Sequence, residues 1–271
     1  MSRRPGLLAG ILLLLAVIAG ALLASVLTGP HPLDMVARPY QWPGSEAAHP
    51  LGTDMLGRDL LAGILHGARF SLLIGLAAGL LAALCGLLVG SIAGYFGGAV
   101  DALLMRLTDI FQTMPSLVFT IVLVVILRPT VASIVLGIAV TGWPNIARLV
   151  RAEALRLRAS EFVAAARLQG LRHGRILWLH VLPNVLTPAL VMVSILIGHA
   201  ILTEASLSFL GLGDPNIASW GSMIGSGREV LRTAWYMTAL PGAAIFLTVV
   251  ALNLIGNGLT DLLNPRQRGA F

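Results

Sequence analysis

Long apolar stretches with almost no charged residue recur along the whole chain. A helix crosses about 30 Å of hydrocarbon at about 1.5 Å per residue, so a membrane span needs about 20 apolar residues. Six stretches approach or exceed this length, and we predict one transmembrane helix in each: 7–27, 70–94, 110–127, 129–147, 181–203 and 233–260. The pattern therefore predicts an all-α integral membrane protein with about six transmembrane helices.

Charged residues make up only 11% of the 271 residues, whereas apolar residues make up 57%. Soluble domains carry about 25% charged residues, so most of this surface is expected to face lipid or other helices. We expect residues 1–69 to hold the first transmembrane helix and an external loop. Residues 70–271 are expected to form a core of five transmembrane helices with a cytoplasmic loop at 148–183. The first apolar stretch is long for a secretion signal and lacks a clear cleavage site, which favours a retained span.

The basic residues are all arginines: the chain has 18 of them and no lysine. The P-loop that binds nucleotide phosphates requires a lysine after its glycines, so this chain cannot form one. Any ATP-driven work must therefore be done by another polypeptide. If such a partner exists, ATP and Mg²⁺ would be bound to it, and no cofactor is expected on this chain.

The arginines are unevenly distributed about the predicted spans. If the N-terminus is cytoplasmic, 12 of the 18 fall on the inner side, as the positive-inside rule requires. We therefore predict an inner-membrane protein with both termini in the cytoplasm. The net charge of +6 does not indicate nucleic-acid binding, because the basic excess lies on short loops where topology and anionic lipid explain it.

One predicted cytoplasmic loop, residues 148–180, contains seven arginines and the pattern of a capped helix. Ser160 can cap its N-terminus, Glu161 suits the positive end of its dipole, and Gly170 can end it. One face of this helix is predicted to carry Phe162, Ala165, Ala166 and Gln169. Two explanations remain open at this point: insertion into a groove on a partner protein, and adsorption to the lipid surface.

The same loop resembles the signature of permease subunits in binding-protein-dependent ABC importers. That signature reads Glu-Ala-Ala, three residues, Gly, nine residues and Ile-x-Leu-Pro, and its positions correspond here to Ala164, Ala165, Ala166, Gly170, His180, Leu182 and Pro183. Ala164 stands where the family has glutamate, and His180 stands where it has isoleucine. A histidine followed by x-Leu-Pro-Asn is similar to the dipeptide, oligopeptide and nickel branch of the family.

Other segments are similar to that branch and extend the resemblance over nearly the whole chain: 51–59, 94–98, 207–213 and 253–259. The sequence therefore resembles the second permease subunit of such an importer. This implies the type I ABC importer permease fold and a pore-forming subunit that is not an enzyme.

The resemblance also implies partners and a mechanism. The partners would be a second homologous permease, two ABC ATPases on the cytoplasmic face and an extracytoplasmic binding protein, with membrane lipid around them and no nucleic acid. The helix from Glu161 to Gly170, including Phe162 and Arg167, would be the coupling helix seated in an ATPase groove. The implied cargo is a peptide, and nickel or a metal chelate is the alternative.

Three ionisable residues at or within the predicted spans are candidates for the substrate pathway or its gate, because such groups are costly in lipid. They are Asp109, His199 and Glu204. A structural role is the alternative for each: Asp109 could pair with Arg106 one turn away, Glu204 could form a structural hydrogen bond, and His199 could be packed in neutral form. No metal site is predicted, because His199 and Glu204 lie about 140° apart around a helix.

Other classes of protein are less consistent with the sequence. A metalloprotease would need His-Glu-x-x-His, which does not occur. A secondary transporter driven by an ion gradient remains an alternative to the ABC permease, although the inverted repeats expected of one are not apparent. The energy source of transport distinguishes the two.

Overall fold

The computed structural model describes residues 5–29 and 31–263, most of which are helical. In chain order the helices are α1 (Pro5–Thr28), α2 (Leu60–Phe96), α3 (Gly98–Gln112), α4 (Ser116–Leu127), α5 (Val131–Arg158), α6 (Glu161–Leu168), α7 (His173–Ile176), α8 (Leu182–Phe209), α9 (Trp220–Gly227) and α10 (Tyr236–Leu263). A π turn (Leu177–Val181) joins α7 to α8. Outside the described residues lie four of the arginines behind the predicted orientation: Arg3, Arg4, Arg266 and Arg268.

Five helical segments in the described part of the chain are long and apolar enough to cross a membrane: α1, α2, α5, α10 and the segment His173–Phe209 that contains α8. α3 and α4 qualify only together, as one span broken by a bend of 80°. The all-α class with five to six spans is thus confirmed, but the predicted continuous span at 110–127 is wrong. Pro115 explains the break, because proline has no N–H to donate and its ring clashes with the preceding turn.

Two other helix boundaries differ from the prediction. α2 has 37 residues and begins at Leu60, where Asp59 caps it by accepting the Leu61 N–H at 2.9 Å. α5 continues to Arg158, so residues 148–158 of the predicted cytoplasmic loop are its last turns. Alanine, leucine, arginine and glutamate fill most of these turns, and all four favour helix.

α2 and α5 pack with their backbones in near contact, and three glycines of α2 form the contact surface. A Cβ added at Gly86 would lie 2.8 Å from the Trp143 carbonyl oxygen, and one added at Gly94 would lie 2.5 Å from the Arg151 carbonyl oxygen. Gly90 lies between them in the same row. Small residues permit this approach, which in lipid replaces the hydrophobic effect as the source of helix association.

Residues 51–59, one of the segments behind the family resemblance, form a hydrogen-bonded loop ahead of α2. Thr53 is buried, and its hydroxyl donates to the Arg38 carbonyl at 2.6 Å. Asp54 accepts two backbone N–H groups from the turn that follows it, at 2.8 and 2.9 Å. Together with the Asp59 cap, these bonds explain why the segment requires its short polar residues.

α1 packs against α2 and α10. Gly10 allows the close approach to α10, because a Cβ there would lie 2.8 Å from the Ala251 carbonyl oxygen. Arg69 of α2 donates to the α1 backbone, from Nε to the Ala21 carbonyl at 2.5 Å and from Nη2 to the Leu22 carbonyl at 3.1 Å. An arginine within a span is costly unless it is paired, and here α1 supplies the acceptors. The division of the chain at residue 69 stays a prediction.

Replacing Gly90 with alanine is expected to lower the stability of the protein, because the added methyl group would meet the Ala147 carbonyl and the Val150 Cβ. Overpacking of this kind costs about 1–3 kcal/mol. Gly242→Ala is the matched control: nothing lies within 4 Å of a Cβ added there, inside α10, so alanine should be neutral or stabilising. Thermal unfolding in detergent measures both variants, and equal unfolding temperatures would contradict the prediction.

Candidate functional site

A cavity of about 670 Å³ lies between α4, α5 and α8. Apolar residues make up half of its lining. Six further residues carry hydroxyl or amide groups: Ser116, Thr120, Thr141, Asn145, Thr203 and Ser206. The titratable residues among those described in the lining are Arg148 and His199. The volume is within the range of about 300–1,000 Å³ that is typical of small-molecule sites.

The threonines of the cavity wall bond to their own helices. Thr141 Oγ1 donates to the Gly137 carbonyl at 3.0 Å, and Thr203 Oγ1 donates to the His199 carbonyl at 2.9 Å. Thr120 bonds its own helix in the same way, and its hydroxyl lies 3.1 Å from that of Thr141. A hydroxyl whose hydrogen is engaged still has a lone pair to offer. The wall can therefore accept hydrogen bonds from a passing solute without first giving up a partner.

Of the three ionisable residues predicted for the pathway, only His199 lines this cavity. Its side chain is exposed, and Nδ1 lies 3.4 Å from the Thr203 hydroxyl. Glu204 is only 1% exposed and accepts hydrogen bonds from Ser208 Oγ at 2.8 Å and Ser71 Oγ at 3.3 Å. Glu204 therefore forms the structural hydrogen bonds that were the alternative to a role in the pathway. The part of these residues in transport stays a prediction.

Asp109 pairs with Arg148 of α5 and not with Arg106 of its own helix, since Arg148 Nη2 lies 2.7 Å from Asp109 Oδ1. The side chains are 52% and 61% exposed, so the pair contributes about 1 kcal/mol or less. One turn away, Gln112 Nε2 donates to Asn145 Oδ1 at 3.1 Å. Because Arg148 and Asn145 line the cavity, these contacts attach α3 to the cavity wall.

The helix predicted in the arginine-rich loop is present as α6, and Gly170 ends it as expected. Gly170 has φ +78°, the left-handed conformation that glycine adopts without strain. Its N–H donates to the Arg167 carbonyl at 2.9 Å, and the Leu171 N–H donates to the Ala166 carbonyl at 3.2 Å, which completes a Schellman motif. Ser160 precedes the helix, but its hydroxyl donates back to α5 and makes no cap bond.

α6 buries one side and exposes the other. Val163 is 0% exposed and Ala166 is 5% exposed, so the predicted grouping of Ala166 with Phe162 on one face is wrong. Phe162 is 44% exposed and Leu168 is 90% exposed. Leu168 was not among the predicted coupling residues, because a leucine in an apolar pattern is ordinarily assigned to the core. Also exposed are Glu161, Ala164, Ala165 and Arg167.

His180 lies in the π turn ahead of α8, where its ring centroid is 6.5 Å from that of Phe162. In this turn the Leu182 N–H donates to the Leu177 carbonyl, five residues back. The wider turn suits Pro183, because in a regular helix proline cannot donate to the carbonyl four residues back and its ring clashes with it. The π turn therefore explains how the proline of the His-x-Leu-Pro signature is accommodated at the start of α8.

Membrane-crossing helices around a side-chain-lined cavity, with a short exposed helix following α5, define a helical membrane protein of the transporter type. Residues 86–269 match the family described as "Binding-protein-dependent transport system inner membrane component". The chain belongs to this family, and it is accordingly a multi-pass inner membrane protein.

Curated relatives extend over nearly the whole chain. The chain is 41% identical over 270 residues to a putative peptide transport system permease protein of Brucella suis, covering 99% of this chain and 90% of the relative. It is 39% identical over 275 residues to the di/tripeptide transport system permease protein DppC of Pseudomonas aeruginosa, covering 99% and 91%. It is 41% identical over 242 residues to the probable D,D-dipeptide transport system permease protein DdpC of Escherichia coli, covering 89% and 80%.

These relatives are permease proteins, which confirms the prediction of an ABC importer permease subunit that is not itself an enzyme. Among solved structures, the inward-facing MetNI methionine ABC transporter is similar, with a TM-score of 0.60 at 18% sequence identity. The match covers 74% of this chain and 96% of that chain. At this identity the likeness shows the fold, and it confirms the predicted permease fold. The ion-gradient alternative receives no support.

A thiol at position 199 is expected to react with a water-soluble maleimide, because His199 lines the cavity. A thiol at position 200 is not, because Ala200 is 0% exposed. His199→Cys and Ala200→Cys are made in a Cys85→Ser background, since Cys85 is the single cysteine of the chain and is exposed. Mass spectrometry after brief labelling measures both, and equal labelling would contradict the assignment of the cavity wall.

Proposed function

We propose that this chain forms one half of the transmembrane pathway of an ATP-driven importer for short peptides, which an extracytoplasmic binding protein delivers. The observation that carries the cargo assignment is the lining of the cavity. Neutral hydroxyl and amide groups suit the amides of a peptide backbone, and the described lining residues include no carboxylate and no thiol. The names of the relatives support the same cargo.

Nickel is the weaker candidate on the same observation. Imidazole nitrogen suits nickel, and the described lining offers one imidazole, His199, and a single thioether, Met192. No three His, Cys, Asp or Glu side chains converge on a metal-binding site anywhere in the described residues. A chelated metal brings its own ligands and needs none from the cavity. Uptake of such a chelate in place of peptides would contradict the peptide assignment.

A second homologous permease is proposed to complete the pathway. The cavity is walled by α4, α5 and α8 of this chain, and a related subunit would supply the opposite wall. The outer face of α4 supports such a contact, because Val118, Val122 and Val125 are between 47% and 55% exposed. Lipid would cover whatever the second permease leaves open.

Two ATPases are proposed to dock on the cytoplasmic face, one of them at α6 of this chain, with ATP and Mg²⁺ bound to them and no cofactor bound by this chain. Burial of Val163 and Ala166 leaves the Phe162 and Leu168 side chains facing outward, as an insertion into a partner's groove requires. This arrangement favours docking over adsorption to lipid. With an ATPase docked at α6, we propose that α6 and both chain termini lie on the cytoplasmic side, and residues 31–59 on the side of the binding protein.

Phe162→Asp is expected to abolish uptake while membrane insertion stays intact, because a charge would enter the ATPase groove. A bulky residue at Gly170, such as Gly170→Val, is expected to do the same, because φ +78° strains any β-branched side chain. Gly174→Val is the control, since nothing lies within 4 Å of a Cβ there. Uptake and the amount of membrane-inserted protein are measured together. Normal uptake in Phe162→Asp and Gly170→Val would contradict docking at α6.

Deletion of this chain is expected to abolish uptake of labelled di- and tripeptides, and complementation is expected to restore it. The same cells are given labelled nickel, alone and with a chelator. Loss of metal uptake with unchanged peptide uptake would contradict the cargo assignment while leaving the ATP-driven mechanism in place.

A further inference from the structure

α6 has little packing of its own. It has eight residues, and a two-residue link, Ala159 and Ser160, joins it to α5. Its inward side consists of Val163 and Ala166. These two side chains pack in the same core cluster as Leu157 of α5, and Ser160 bonds back to the Leu157 carbonyl, so α6 is fixed to α5 at its start. Its last turn needs a further contact in order to transmit a push on the exposed face to the membrane helices.

Tyr95, in the last turn of α2, makes such a contact. It is 2% exposed, and its hydroxyl lies 3.0 Å from Nδ1 of His173, the first residue of α7. The Arg167 guanidinium stands over the tyrosine ring, with Cζ 5.6 Å from the ring centroid. Arg167 precedes the Gly170 turn and His173 follows it. The tyrosine therefore holds α6 by its last turn and α7 by its first.

The position of Tyr95 is itself fixed against α5. The neighbouring Gly94 lies in backbone contact with α5, so the backbone of this turn has no room to shift. Arg158, the last residue of α5, donates from Nη1 to the Phe96 carbonyl at 3.0 Å. The Phe96 ring meets the Tyr95 ring edge-on, with centroids 5.2 Å apart. A force on the Tyr95 side chain is therefore delivered to α2 and α5 together.

From this geometry we propose that Tyr95 is a positioning residue for energy coupling, which transmits displacement of α6 to the α2–α5 pair. The proposal rests on the docking of ATPases at α6. With the contact intact, movement of α6 shifts the cavity wall that α5 provides. With the hydroxyl bond to His173 broken, the turn between α6 and α7 loses a fixed contact with α2, and ATP is hydrolysed without a matching movement of the pathway.

The test uses the complete importer, with both permeases, both ATPases and the binding protein, reconstituted in lipid vesicles. The measured quantity is peptide transported per ATP hydrolysed. Tyr95→Phe keeps the buried ring and removes the hydroxyl, and it is expected to lower this ratio roughly 2- to 10-fold, the range for one lost hydrogen bond. His173→Leu is expected to act similarly, and the double variant is expected to be no worse than either single one, because both remove the same contact.

Tyr236→Phe is the matched control. Tyr236 is 1% exposed, and its hydroxyl donates to the Thr53 carbonyl at 3.3 Å, away from α6. The same substitution there is expected to leave the ratio of transport to hydrolysis unchanged.

An unchanged ratio in Tyr95→Phe overturns the proposal. So does a normal ratio combined with a reduced amount of assembled complex, because that result assigns Tyr95 to folding alone. The Phe162→Asp variant distinguishes failure of ATPase docking at α6 from failure of the role proposed for Tyr95. If uptake is normal in Phe162→Asp, docking at α6 fails. If Phe162→Asp abolishes uptake while Tyr95→Phe keeps its ratio, docking stands and only the role of Tyr95 is lost.

Discussion

Backbone contact between α2 and α5 is the constraint on which the rest of the molecule depends. Lipid offers no hydrophobic drive for helix association, so the pair relies on the close packing that the α2 glycines allow. Arg151 of α5 then holds the start of α3 through two bonds to the Asp101 carboxylate, one of them 2.6 Å from Nη2 to Oδ2. α5 thus serves at once as a wall of the cavity, the support of α3 and the stem that carries α6.

Charge and neutral polarity are used for different purposes within the spans. Arg69 bonds to α1 carbonyls and Glu204 to the hydroxyls of Ser71 and Ser208, so both ionisable side chains hold helices together. The cavity lining combines apolar side chains with six hydroxyl or amide side chains, and its described titratable residues are His199 and Arg148, of which Arg148 is paired with Asp109. A lining of this kind offers few groups that would choose between solutes by charge. That agrees with a family named for its dependence on a binding protein.

The parts of the fold that depend on local sequence were predictable, and the parts that depend on distant contacts were not. Apolar length identified five of the six spans, and the glycine at position 170 identified the end of α6, because both act within a few residues. The predicted partner of Asp109 was wrong, because the ion pair reaches to Arg148 on another helix. Ala166 was misplaced for the same reason: the side of α6 that is buried depends on where α5 and the π turn lie. Tyr95 lies in the 94–98 segment that resembles the family, but the sequence could not predict its role, because its contacts lie 72 and 78 positions away.

The π turn at Leu177–Val181 has a consequence for the angular setting of α8. Successive residues of an α-helix are rotated by about 100°, so one residue more or less in this turn would rotate all of α8 by about that amount. His199 would then leave the cavity wall and a neighbour would replace it, with no change in the composition of the span. The widened turn therefore sets the rotation of α8, which lines the cavity, relative to α7 and the loop before it. A single-residue insertion or deletion there would exchange more of the α8 side chains that line the cavity than several substitutions within α8 would.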